Sequence, residues 1–144
     1  MNQSNTIRVR VNPKYAQLYE DLKPYCGEAH AVFFLGFCLA LSSGVPVEAE
    51  NRLADKFWSG TIKPDEWTCY YALAAQQADY DFTSLSDDQA VIRLAERYAD
   101  KGMEILIEEL LRGYLLPGDE LRLDSRASAE LPWELLKFVP DRLI

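Results

Sequence analysis

The stretch "AHAVFFLGFCLAL", from Ala29 to Leu41, constrains this chain more than any other. It holds no Lys, Arg, Asp or Glu and shows no polar face, so a helix built from it must be covered on nearly every side. It falls short of the roughly 20 residues that cross a bilayer, so the cover must be other protein rather than lipid. The flanking patterns supply that cover. Tyr15, Leu18, Tyr19 and Leu22 follow helical spacing after the N-cap and first-turn pair Asn12-Pro13, and Pro24 with Gly27 ends that helix. The apolar helix is then expected from about Glu28 to Leu41, closing at "SSGVP".

Beyond Pro46, "EAENRLADKFW" reads as a short charged helix, followed by a break at "SGTIKP". Pro64-Asp65-Glu66 opens another helix, with acids at the positive end of its dipole and Trp67, Tyr70, Tyr71, Ala74 and Ala78 on one face. Asp79 to Ser84 reads as a loop. Ser86 and Gln89 form a capping box for the longest helical region, striped by Val91, Leu94, Ala95, Tyr98, Ile105, Leu106, Leu110 and Leu111, with Asp100-Lys101-Gly102 a possible kink. Residues 114–144 are either a docking arm or the last piece of the core. The fold class is therefore mainly α: a short N-terminal strand followed by a helical bundle. It divides into a strand-helix-helix unit at 1–47 and an acidic helical region at 48–144, packed together as one compact domain.

The strand is "IRVRV", where Ile7, Val9 and Val11 alternate with Arg8 and Arg10. Formal net charge is −8, yet it is segregated: residues 1–47 carry four basic and three acidic groups, the rest eleven and twenty. The first third is thus near +1 and the remainder near −9, which argues against extensive non-specific DNA binding but leaves room for a local basic face. The ordinary role of Arg8 and Arg10 would be to protect an exposed edge from aggregation.

Residues 6–42, with a strand, a helix, a glycine turn and a buried helix, resemble the ribbon-helix-helix family. That resemblance implies a homodimer whose two strands pair as a ribbon, with Ile7, Val9 and Val11 in the dimer core and Arg8, Arg10 and Lys14 facing duplex DNA. A short strand needs a partner, and no second strand is evident in the sequence. The departure lies at "GEAHAVFF", where the second helix begins with Glu28 and lacks the hydroxyl or basic residues that grip a phosphate. More widely, "PDEWTCYYALA" and "RLAERYADKGMEILIEELL", together with the N-terminal pattern, resemble small helical proteins encoded beside bacterial DNA phosphorothioation (dnd) systems. That likeness implies an accessory, DNA-binding or regulatory role in antiphage defence, with no family catalytic residues to carry over. The alternative is an interaction subunit that docks a larger defence-complex protein through its acidic helical surface, without binding DNA.

No enzyme is expected. Adjacent acidic pairs such as Glu48/Glu50, Asp65/Glu66, Asp87/Asp88 and Glu108/Glu109 diverge by about 100 degrees on a helix, and the solvated-face reading is preferred. His30 reads as a partly buried structural histidine. The tryptophans Trp58, Trp67 and Trp133 read as core rather than base-stacking groups. Cys38 and Cys69 read as small core residues, with Cys26 the one open to solvent. The odd, scattered cysteines and the absence of a leader or membrane span point to a cytoplasmic protein with no metal, no cofactor and no membrane contact.

Overall fold

The computed structural model describes residues 7–48, 53–79, 87–124 and 126–143. The architecture is mainly α, with a short N-terminal strand. Strand β1 (Arg8–Val11) leads through a 3-10 turn at Pro13–Tyr15 into helix α1 (Ala16–Cys26) and then α2 (Ala29–Ser43). Asn12 caps the turn by accepting a hydrogen bond from the Lys14 N–H, and Pro24 lies inside the last turns of α1. Gly27 (φ 104) and Gly44 (φ 71) end the two helices in backbone conformations that a side chain would strain. Strand β2 (Ala54–Trp58), helix α3 (Pro64–Gln77), helix α4 (Asp88–Glu109) and helix α5 (Ala127–Leu143) complete the order.

Helix α2 is the central element, as its uniform apolarity requires. Val32, Phe33, Phe37, Leu39 and Ala40 are fully buried or nearly so. The Tyr70 ring of α3 meets Phe37 at 4.8 Å and Phe33 at 5.8 Å, both edge-on. The most extensive helix contact is α2 with α4, where Gly36 and Gly102 let two backbones touch. A Cβ on Gly102 would lie 1.7 Å from the Gly36 carbonyl oxygen, so this glycine marks a helix crossing rather than a kink, and α4 runs through it unbroken.

Two expectations from the sequence are corrected. Residues 54–58 form a strand, not part of a charged helix, and β2 pairs antiparallel with β1 in the register Val9↔Phe57, Arg10↔Asp55, with a bulge that leaves Lys56 unopposed. Lys56 turns instead to α1, donating to the Ala16 carbonyl at 2.9 Å and pairing with Glu20. Val9 and Val11 are fully buried in this chain's own core, with Ile7 packed partly against it. Cys69 is exposed rather than buried.

Asp87 caps α4 by accepting from the Gln89 N–H; the proposed Ser86 cap lies outside the described residues, as does most of the 79–84 loop. The last helix is part of the fold. Asp21 of α1 accepts from the Arg122 side chain and the Leu123 N–H, both at 3.0 Å, which anchors the approach to α5. Leu131 is then fully buried, while Leu135 and Phe138 pack partly against the core. Among the described residues no single helix is long and apolar enough to cross a membrane.

Candidate functional site

One edge of β1 is occupied by β2; the other meets α4. Residues at alternate positions of a strand direct their backbone groups to the same edge, spaced about 7 Å apart. Helix residues at i, i+3 and i+7 share one face and advance by about 4.5 and 6 Å along the axis, close enough for side chains to bridge the difference. Arg93, Glu96 and Asp100 have that spacing. Arg93 donates to the Arg8 carbonyl at 3.1 Å, Glu96 accepts from the Arg10 N–H at 2.8 Å, and Asp100 accepts from the Asn12 N–H at 3.1 Å. Three side chains of one helix thus stand in for a third strand. A ribbon with a second copy would have to displace them.

Glu96 is the hub. It is 2 % exposed, pairs with Arg93, and lies 3.5 Å from the Arg10 Nη2. Burial pushes its carboxyl above the ordinary glutamate value, outweighing the opposite pull of the Arg10 N–H and the two guanidinium groups. Burial likewise raises the Tyr19 hydroxyl well above its usual value, with Asp100, Tyr15 and Glu96 adding to the effect.

The three cations proposed for DNA each meet a local partner. Arg8 stacks on Trp58 at 4.5 Å and lies 3.7 Å from Asp55. Arg10 faces Glu96, and Lys14 rests 5.2 Å over the Tyr15 ring beside a cavity that also holds Glu104, Glu108 and Asp119. The fold therefore interleaves these cations with acids. It does not gather them on one basic face.

His30 and Glu66 form a second buried pair, Nδ1 to Oε1 3.0 Å, and the same Glu66 oxygen accepts the Lys63 N–H. This pair ties the start of α2 to the start of α3, a structural use of the histidine, and it corrects the solvated reading of Glu66. Burial pushes the Cys26 and Cys38 thiols up to about 11, which leaves them protonated and unreactive at neutral pH. Among the described residues no three His, Cys, Asp or Glu side chains gather as a metal set.

The other feature is apolar. Helix α5 buries Leu131 yet leaves Trp133 67 % and Leu136 66 % exposed on another face. Leu136 lines a groove of about 520 Å³ between α5 and the α1–α2 corner, together with Tyr25, Cys26, Leu35, Leu135 and Val139 among others. Of the three tryptophans only Trp67 lies in the core; Trp58 and Trp133 are exposed. The signal for Trp133 was available in the sequence, because Trp133, Leu136 and Pro140 form a second apolar row beside the Leu131, Leu135 and Phe138 row. One helix seldom needs both for its own core. Comparison with family models, curated proteins and solved structures finds no match for this chain.

Proposed function

We propose that this chain is an interaction subunit that docks a basic amphipathic helix of a partner protein along α5. The observation that carries this reading is exposed Leu136 in the wall of an apolar groove, with exposed Trp133 one turn earlier on the same helix. Large aromatic and aliphatic groups beside a pocket are the usual anchors of a helix-in-groove contact. The basic character of the partner follows from what surrounds the groove. Glu130 and Glu134 flank Trp133; Lys137 lies 3.6 Å from Glu134 and offsets one of them, and the chain as a whole carries −8. Pro140 has no N–H to give to the Leu136 carbonyl four residues earlier, so that carbonyl is left to accept from an incoming donor. The accessory role implied by the dnd resemblance becomes, in this reading, that of a docking part instead of a DNA reader, because Arg8, Arg10 and Lys14 are engaged within the chain.

A labelled synthetic helix of leucine and lysine, compared with one of leucine and glutamate, tests this by fluorescence anisotropy. Saturable binding of the basic helix is expected, weakened about tenfold or more by Trp133→Ala or Leu136→Ala and unchanged by Arg8→Ala. Both side chains are mostly exposed, so these variants should remain within about 0.5 kcal/mol of the parent stability. Equal binding of the acidic helix, or binding indifferent to Trp133→Ala, would contradict the reading. Self-association abolished by Trp133→Ala would give the groove to a second copy instead. Duplex DNA binding lost in Arg8→Ala would return the function to β1.

A further inference from the structure

A separate cavity of about 370 Å³ opens beside the α4 seam, between Arg10 of β1, Val47, Leu53 and the outward turns of α4. Three guanidinium groups line it, those of Arg10, Arg93 and Arg97. Arg93 is committed to Glu96 and to the Arg8 carbonyl. The other two keep unused donors. The Arg10 Nε–H is buried with no hydrogen-bond partner and out of reach of a ligand in the cavity, but the side chain as a whole is one-third exposed and its Nη2 reaches Glu96 only at 3.5 Å. Arg97 spends its Nε–H on the Val47 carbonyl at 3.0 Å, and among the described residues no carboxylate pairs with it. The exposed end of the Arg10 guanidinium and the Nη groups of Arg97 thus keep donors for an acceptor in the cavity.

Among the described residues the neighbouring acids do not supply that acceptor. Glu96 receives the Arg10 N–H and Arg93, Asp100 receives the Asn12 N–H, and Glu48 stands exposed at the rim. The other described walls, Val47, Leu53, Ala90 and Leu94, are apolar. We propose that this cavity binds a small oxyanion, a carboxylate or a phosphate monoester, held at its head by Arg10 and Arg97 with its apolar part against Leu53 and Leu94. A planar guanidinium presents paired N–H groups at the spacing of two oxyanion oxygens, which favours this ligand class over halide or neutral solutes. The volume lies at the small end of ligand cavities, which sets the size of the molecule.

The test follows the melting temperature of the full chain against inorganic phosphate and, separately, butyrate, with ionic strength held constant by chloride. A saturable rise with phosphate assigns a phosphate monoester, and one with butyrate assigns a carboxylate. Either rise should persist in Arg8→Ala, which lies outside the cavity, and Arg97→Gln should weaken the apparent affinity about tenfold or more. Arg97→Lys keeps the charge and loses the fork, so it should weaken binding too, and it serves if Arg97→Gln does not fold. No saturable rise with either anion, or the same rise in both Arg97 variants, overturns the proposal.

Discussion

Replacing Gly102 with alanine is expected to destabilise the chain by about 3 kcal/mol or more, measured as a lower midpoint in guanidinium denaturation. In an exposed helix the same change would stabilise by about 1 kcal/mol, so the sign itself is informative. The new methyl would lie 1.7 Å from the Gly36 carbonyl oxygen, a backbone atom with no rotamer to escape into. Relief requires α4 to move off α2, which loosens the layer containing Phe33, Phe37, Ala99 and Met103. Gly36→Ala should act in the same direction but less, since its methyl meets the Ala99 carbonyl oxygen at 2.8 Å. A Gly102→Ala midpoint equal to that of the parent would mean that the two helices do not cross at this point.

Glu96→Ala is expected to cost about 3–5 kcal/mol at neutral pH, because it strands the Arg10 N–H and leaves Arg93 and Arg10 without their buried acceptor. Glu96→Gln keeps the shape and should cost less. The pair of variants also separates charge from packing through pH. Burial holds the folded-state pKa of Glu96 above its ordinary value of 4.5, so the folded chain takes up this proton more readily than the unfolded chain. The contribution of this proton to stability is therefore full below the ordinary value and lost as pH rises through the raised one. Glu96→Gln should remove that component from the stability profile between the two values. A profile identical in slope to the parent would show that Glu96 does not titrate in a buried setting.

The sequence made the α1, α2 and α3 patterns legible because each carries its own punctuation, Asn12-Pro13, Gly27, Gly44 and Pro64 standing where the helices start and stop, and α4 by its long apolar stripe. Strand β2 was hidden for a physical reason. Of "ADKFW" only Phe57 is buried, and Lys56 breaks the alternation at the bulge, so pairing with β1 rather than local pattern makes it a strand. With β2 unseen, β1 looked like a strand in need of another copy. Glu96 and Asp100 were hidden likewise, since acids at i and i+4 on a helix ordinarily mark its wet face. Their match to the alternate backbone groups of β1 exists only once strand and helix lie side by side. The arginine alternation did identify Arg10 as a residue of consequence, but its chemistry lies with Glu96 and the adjoining cavity.

The central structural claim is that β1 is closed on both edges within one chain. Hydrogen exchange of the Arg10 and Asn12 amides, followed across a wide range of chain concentration, tests it most directly. Slow exchange that does not change on dilution is predicted, with Glu96→Ala releasing the Arg10 amide. Amides that exchange freely in dilute solution and become protected only as concentration rises would contradict it, because their partners would then come from a second copy.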